Sequence, residues 1–169
     1  MKEYLGGLLA NFGETVMLAY GGGSIKRNGV YDEIMSILNA QGKCVVEFSG
    51  IMSNPTYAKV QEGAKLAREN HVDLILAVGG GSVIDSAKAI GYGLCMDGDV
   101  WDLYDHTRRA EGCTPIGVVL TIAASGSEMS NSSVITKEEG GVKRGYNDEI
   151  CRPKFAIMNP ELTMTLPDY

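Results

Sequence analysis

Val72-Asp73-Leu74-Ile75-Leu76-Ala77-Val78 runs without a break into Gly79-Gly80-Gly81, and Ser82-Val83-Ile84-Asp85 follows. A mostly apolar run rich in branched side chains suits a strand covered on both faces. Ser82 then opens a helix, with Asp85 three residues on in a capping-box arrangement. Strand, glycine turn and helix start in immediate succession form the joint of a parallel α/β sheet. The same joint stands earlier, where Thr15-Val16-Met17-Leu18-Ala19-Tyr20 ends at Gly21-Gly22-Gly23-Ser24. The two joints together decide the class, α/β.

The rest of the chain fits around them. Val30, Ile34, Ile37 and Leu38 recur at helical spacing, and Gly42 closes that unit. Cys44–Phe48 reads as the second strand. Tyr57, Val60, Ala64 and Ala67 mark a further helix, with Asn54 as its N-cap and Pro55 as its first residue. Ile116–Thr121 is a fourth strand, followed by the small residues Ala123-Ala124-Ser125-Gly126-Ser127. Ser132–Thr136 and Val142–Tyr146 flank Glu138-Glu139-Gly140-Gly141 and predict a hairpin, and Phe155–Met158 a last strand. The stretch from Asp97 to Cys113 reads as a surface excursion. The pattern predicts a parallel sheet with helices on both faces plus a small β-hairpin.

Composition sets limits. Over 169 residues, 44% hydrophobic and 21% charged, the chain has the balance of one folded domain. Its net charge of −6, with the densest basic spots at Arg108-Arg109 and Lys143-Arg144, argues against nucleic acid as a partner. No apolar run reaches the length of a membrane helix, and the first residues lack the pattern of a signal peptide. Cys44, Cys95, Cys113 and Cys151 have no metal-binding spacing and read as small buried hydrophobes in a reduced, cytoplasmic setting. His71, at a helix end, and His106, in the excursion, read as structural.

In an open α/β sheet, ligands gather at the carboxyl ends of the strands. Glycines there let backbone N–H groups approach an anion, and a helix starting at once adds its dipole. Gly79-Gly80-Gly81-Ser82 is thus a candidate diphosphate cradle, with Gly21–Ser24 and the hydroxyls of Thr121, Ser125 and Ser127 along the same edge. The plainer reading is that the glycines only make tight turns. Neither cluster is GxGxxG, and GxxxxGK[ST] and GxSxG are absent. Asp85 reads either as a capping acid or as a polar contact at the cradle's mouth. Lys143 reads either as a solvated hairpin lysine or as a phosphate contact. The second strand ends in Ser49-Gly50 rather than in the carboxylate that holds ribose hydroxyls in NAD sites. This leaves room for a 2′-phosphate, which Lys26 or Arg27 can pair.

Ala19-Tyr20-Gly21-Gly22-Gly23-Ser24-Ile25-Lys26, Asn54-Pro55, Ala77–Asp85 and Thr121-Ile122-Ala123-Ala124-Ser125-Gly126-Ser127-Glu128 follow one another in an order and spacing that resemble the iron-containing alcohol dehydrogenases. The likeness is strongest to the NADPH-dependent butanol dehydrogenase-like branch. The tail, Asn159-Pro160-Glu161 to Thr165-Leu166-Pro167, resembles that family's join between domains. The resemblance implies that residues 1–169 are a dehydroquinate synthase-like N-terminal domain with a Rossmann-like sheet. It implies NADP(H) as cofactor, with Gly22 and Ser24 near the adenosine phosphate and Gly80, Gly81 and Ser82 at the pyrophosphate. Asp85 would lie toward the nicotinamide ribose, Thr121 and Ser125 along the cofactor, and Lys143 near its ribose-phosphate part. Ser130 falls where relatives often carry Asn.

The family's Fe or Zn is held by Asp and His residues of a helical second domain, and neither histidine here matches them. On this reading the chain supplies no catalytic or metal-ligating residue and is silent by itself. The parent enzyme is expected to be a homo-oligomer interconverting small aldehydes and primary alcohols such as butanol. A glycerol dehydrogenase-like enzyme is an alternative within the family. A stand-alone, non-catalytic nucleotide-binding module and a glycine-rich-loop kinase are alternatives outside it.

Overall fold

The computed structural model describes residues 1–164. The chain runs α1 (Lys2–Leu9), β1 (Thr15–Tyr20), α2 (Ser24–Arg27), α3 (Val30–Ala40), β2 (Cys44–Phe48), α4 (Tyr57–Glu69), β3 (Leu74–Gly79), α5 (Gly81–Leu94), α6 (Trp101–Tyr104), β4 (Ile116–Leu120), β5 (Ser132–Lys137), β6 (Val142–Asn147) and β7 (Phe155–Met158). Five strands form one parallel sheet in the order β2-β1-β3-β4-β7, and β5 and β6 form a separate antiparallel pair. Residues 165–167, the end of the tail that begins at Asn159, lie outside the described residues.

Strand periodicity divides the interior in two. Met17 and Ala19 of β1, with Ile75 and Ala77 of β3, face Val60 and Ala67 of α4 and Ile84, Ala87 and Ile90 of α5. Val16, Leu18 and Tyr20, with Leu74, Leu76 and Val78, face Leu5 and Leu9 of α1 and Ile34 and Leu38 of α3. Each fully buried Leu or Ile contributes about 1.5–3 kcal/mol by leaving water. The sheet is therefore covered on both faces, as its apolar strands require. Among the described residues, no helix is long and apolar enough to cross a membrane.

Three expectations need correction. The N-cap of α4 is Thr56, whose Oγ1 accepts from Lys59 N at 3.3 Å. The helix starts late because Thr136 N donates to Pro55 O at 2.8 Å and Thr56 bridges Thr136, so this segment pairs with the hairpin first. The 97–113 stretch is not a surface excursion throughout, because Trp101, Leu103 and Tyr104 of α6 are buried beneath the hairpin. Tyr104 Oη and Ser133 Oγ are 2.7 Å apart there. Of the cysteines only Cys151 is buried; Cys113 is half-buried, Cys95 is exposed, and Cys44 is exposed on the edge strand β2. The helix α1 is an addition to the expected elements, since Gly6-Gly7 interrupt its stripe of leucines. His71 does lie at a helix end, just past α4, with φ +52°.

Candidate functional site

In the sheet order, β1 has β2 on one side and β3 on the other, so the chain reverses its direction of winding between β1 and β3. A doubly wound sheet opens its ligand crevice at that point, beyond the carboxyl ends of the strands. Tyr20 and Val78 are paired in register there, so the two triple glycines emerge side by side.

The first turn closes against the end of β2. Gly50 N donates to Gly21 O at 3.2 Å and Ile51 N to Tyr20 O at 3.3 Å. Gly23 and Gly50 take φ of +93° and +80°, which a side chain would strain. Tyr20, Gly21, Gly22, Gly23, Lys26, Ser49 and Gly50 line an open cavity of about 320 Å³. Four of the predicted contacts therefore gather here: Gly22, Ser49 and Gly50 on the wall, and Ser24 exposed beside them. Ser24 opens a helix of only four residues, so the dipole expected to act at this turn is small.

The second turn differs. Gly80 caps α5 without a side-chain bond, and its carbonyl accepts from Val83 N at 3.1 Å and Ile84 N at 3.2 Å. The N–H groups of Gly81 and Ser82 have no acceptor among the described residues. They head a helix of 14 residues, long enough for its dipole to favour an anion. The glycines here keep space rather than an unusual φ. A Cβ on Gly79 would lie 2.6 Å from Val83 Cγ2, one on Gly80 2.6 Å from Ile122 Cγ2, and one on Gly81 would run into Ser125 Oγ. The loop after β4 thus lies directly over the start of α5. Thr121 N donates to Gly79 O at 3.1 Å, and the hydroxyls of Ser125 and Ser127 are 3.0 Å apart.

Asp85 does not cap its helix. Its Oδ2 accepts from Val134 N at 3.2 Å and its backbone carbonyl from Ser133 Oγ at 2.9 Å, so it anchors the hairpin. Its Oδ1 is buried without a hydrogen bond among the described residues. Burial raises its pKa above the ordinary aspartate value, against the pull of the Val134 N–H and of Lys88. Lys143 lies on the exposed face of the hairpin, where Nζ donates to Asn54 Oδ1 at 3.2 Å. It is near enough to Asp85 to oppose that rise. The hairpin is held to α5 through Asp85, and Lys143 does not join the cavity beside Gly50.

Sequence reasoning missed Lys88. It is fully buried, and Nζ donates to the carbonyls of Ser127, Ser130 and Ser132 at 2.8, 2.9 and 2.8 Å. Ser130 Oγ lies 3.1 Å from the same ammonium, so this hydroxyl turns inward. The only signal was a lysine on the apolar face of a helix, three residues after Asp85. Among the described residues, no group of three or more His, Cys, Asp or Glu is placed to hold a metal ion.

The family model described as iron-containing alcohol dehydrogenase matches residues 2–160. The chain is 49% identical over 157 residues to the probable NADH-dependent butanol dehydrogenase 2 of Bacillus subtilis, covering 93% of this chain and 40% of that protein. It is 38% identical over 155 residues to the NADPH-dependent aldehyde reductase YqhD of Escherichia coli, covering 90% of this chain and 40% of that one. The crystal structure of NADH-dependent butanol dehydrogenase A from Thermotoga maritima superposes with a TM-score of 0.94 at 41% identity, covering 98% of this chain and 42% of that chain. This chain therefore spans about two fifths of the length of these proteins.

Proposed function

The chain belongs to the iron-containing alcohol dehydrogenase family, and on that premise we propose that it binds NADP(H) across the two glycine turns and orients it for exchange between small aldehydes and primary alcohols such as butanol. One observation carries the reading. The unpaired N–H groups of Gly81 and Ser82 head a long helix, in a space that a single Cβ would fill. Such a place suits a pyrophosphate. Bound there, the nicotinamide supplies the carbon that gives or takes hydride.

The chain's own residues bind and orient. The amides of Gly81 and Ser82 hold the anion, and Ser125 and Thr121 offer hydroxyls from the loop above. Asp85 Oδ1, buried and without a partner, accepts from a ribose hydroxyl. Lys88 keeps the loop in place. At the other turn, Gly22, Ser24, Ser49 and Gly50 receive the adenosine end. No carboxylate lines the cavity there and Lys26 does, which favours a 2′-phosphate. Lys143 stands on the hairpin side toward the ribose-phosphate part.

The described residues hold no group of three or more His, Cys, Asp or Glu placed for a metal ion, so they do not fit the metal in the family's name. Its ligands are assigned to residues other than those described, and the working enzyme to a cytoplasmic homo-oligomer. Calorimetric titration of the chain with NADP+ and with NAD+ tests the reading. Tighter binding of NADP+ supports it, and equal or tighter NAD+ overturns the preference. Failure to bind either overturns the dinucleotide site itself.

A further inference from the structure

Four elements meet at the rim of the cavity beside Gly50. Glu47, the next-to-last residue of β2, accepts from Tyr20 Oη at 2.7 Å and from Tyr31 Oη at 2.5 Å. Lys26 Nζ of α2 lies 3.5 Å from Glu47 Oε2, 4.3 Å from the centre of the Tyr31 ring and 5.4 Å from that of Tyr20. The two rings meet edge to face at 5.8 Å. Lys26 is therefore parked in a cage of two aromatic faces and one carboxylate, each attractive to an ammonium.

Glu47 is the carboxylate nearest the end of β2, where an NAD-selective site places an acid against the ribose hydroxyls. It cannot act that way here without giving up its partners. Both oxygens are held by tyrosine hydroxyls, and the residue is not part of the cavity wall. The bonds from Tyr31 and Tyr20 also hold its pKa below the ordinary glutamate value, so it stays charged at neutral pH. What it does touch is the one basic side chain on that wall.

We propose that Glu47 is a specificity-determining residue that limits the preference for NADP(H) by withholding Lys26 from the 2′-phosphate. The inference rests on the dinucleotide reading above. NAD(H) binds with Lys26 left in its cage. NADP(H) must draw Lys26 out of the cage, so the bond it forms with the phosphate is offset by its departure from the carboxylate and the two rings. Both side chains of the pair are nearly half exposed, at 48% and 42%, so the hold is weak enough to be broken. A site built this way accepts both cofactors with a modest bias.

The test is a double-mutant cycle read as the ratio of NADP+ to NAD+ dissociation constants, measured by titration of the purified chain. Glu47→Gln keeps the size of the side chain and removes its charge. It is expected to tighten NADP+ roughly threefold, the scale of an exposed ion pair, with NAD+ unchanged within about twofold. Lys26→Met is expected to weaken NADP+ about tenfold and leave NAD+ alone. In the Lys26→Met background, Glu47→Gln changes neither constant. Circular dichroism confirms that each variant is folded. A ratio that Glu47→Gln leaves unchanged, or shifts toward NAD+, overturns the proposal. So does an equal gain with and without Lys26, since the effect then does not pass through that lysine. Absence of binding of both cofactors to the unaltered chain is a separate result, and removes the underlying reading along with this one.

Discussion

Gly79 and Gly81 stand two residues apart, yet the structure gives them different tasks, and alanine at each separates packing from ligand space. A methyl group on Gly79 meets Val83 Cγ2 at 2.6 Å and Val83 Cβ at 2.9 Å. Val83 is β-branched and its Cβ is fixed to a buried helix, so it cannot swing aside. Overpacking of this kind costs about 1–3 kcal/mol. For a domain of this size that lowers Tm by about 4–8 °C at the middle of the range. A methyl on Gly81 meets Ser125 Oγ, the end of an exposed side chain that can rotate. Ala also suits the start of a helix better than Gly, by up to about 1 kcal/mol. Gly81→Ala is therefore expected to keep Tm within a few degrees. It closes the space between the unpaired amides and the loop, however, and turns Ser125 away. The loss of one charge-assisted hydrogen bond, about 2 kcal/mol, weakens NADP+ roughly 30-fold. Thermal melting and calorimetric titration on both variants give the answer. If Gly81→Ala binds NADP+ as the unaltered chain does, the glycine serves only the turn, and the cradle is wrongly placed.

Lys88→Met leaves three carbonyls, one buried and two part-buried, without their lysine donor and is expected to cost about 3 kcal/mol, read as a fall in Tm of about 6–12 °C, together with weaker NADP+ binding as the 127–132 loop loosens. Asp85→Asn keeps an acceptor for Val134 N and removes a buried charge, so stability is expected to hold or rise near neutral pH while cofactor affinity falls. Because the folded pKa of Asp85 is raised, its charge opposes folding above that pKa, and the opposition is relieved as pH falls toward the ordinary aspartate value of 3.8. The gain from Asp85→Asn is therefore expected to shrink over that window in chemical denaturation series. The chain by itself, supplied with NADPH and Fe2+ or Zn2+, is expected not to reduce butanal, because no ligand cluster holds the metal among the described residues; metal-dependent turnover in a spectrophotometric assay would place the chemistry in this domain after all.

What could be read in advance was whatever the chain states locally. β1, β3 and β4 are largely apolar runs that lead into glycine or small residues, and both facts lie within a few positions. The hairpin was equally plain, because its polar strands flank Glu138–Gly141. Strand order was not local. That β1 lies beside β3, and so brings the triple glycines together, follows from packing across the sheet. The cap of α4 escapes a local reading for the same reason: Pro55 and Thr56 are claimed by Thr136, 80 positions from Thr56 in the chain. Glu47 was invisible as a site residue because its partners sit on three other elements. The strand end points to Ser49, two residues beyond the carboxylate that holds Lys26.

Asp85 and Lys88 show why such residues leave so little trace. They are three apart on α5, hence on one face of the helix. The carboxylate takes the backbone N–H of Val134, and the ammonium takes the backbone carbonyls of Ser127, Ser130 and Ser132. Opposite charges on one helix thus grip opposite poles of the peptide groups that follow β4. Because nearly all of these partners are backbone, the loop and hairpin need carry no complementary side chains, and no pairing pattern appears in the sequence. The same helix begins with the amides of Gly81 and Ser82. One element therefore supplies the anion site at its first turn and clamps the cover of that site over the next two. This is why the effect of Lys88→Met on affinity is expected to reach the cradle although Lys88 faces the loop and not the cavity.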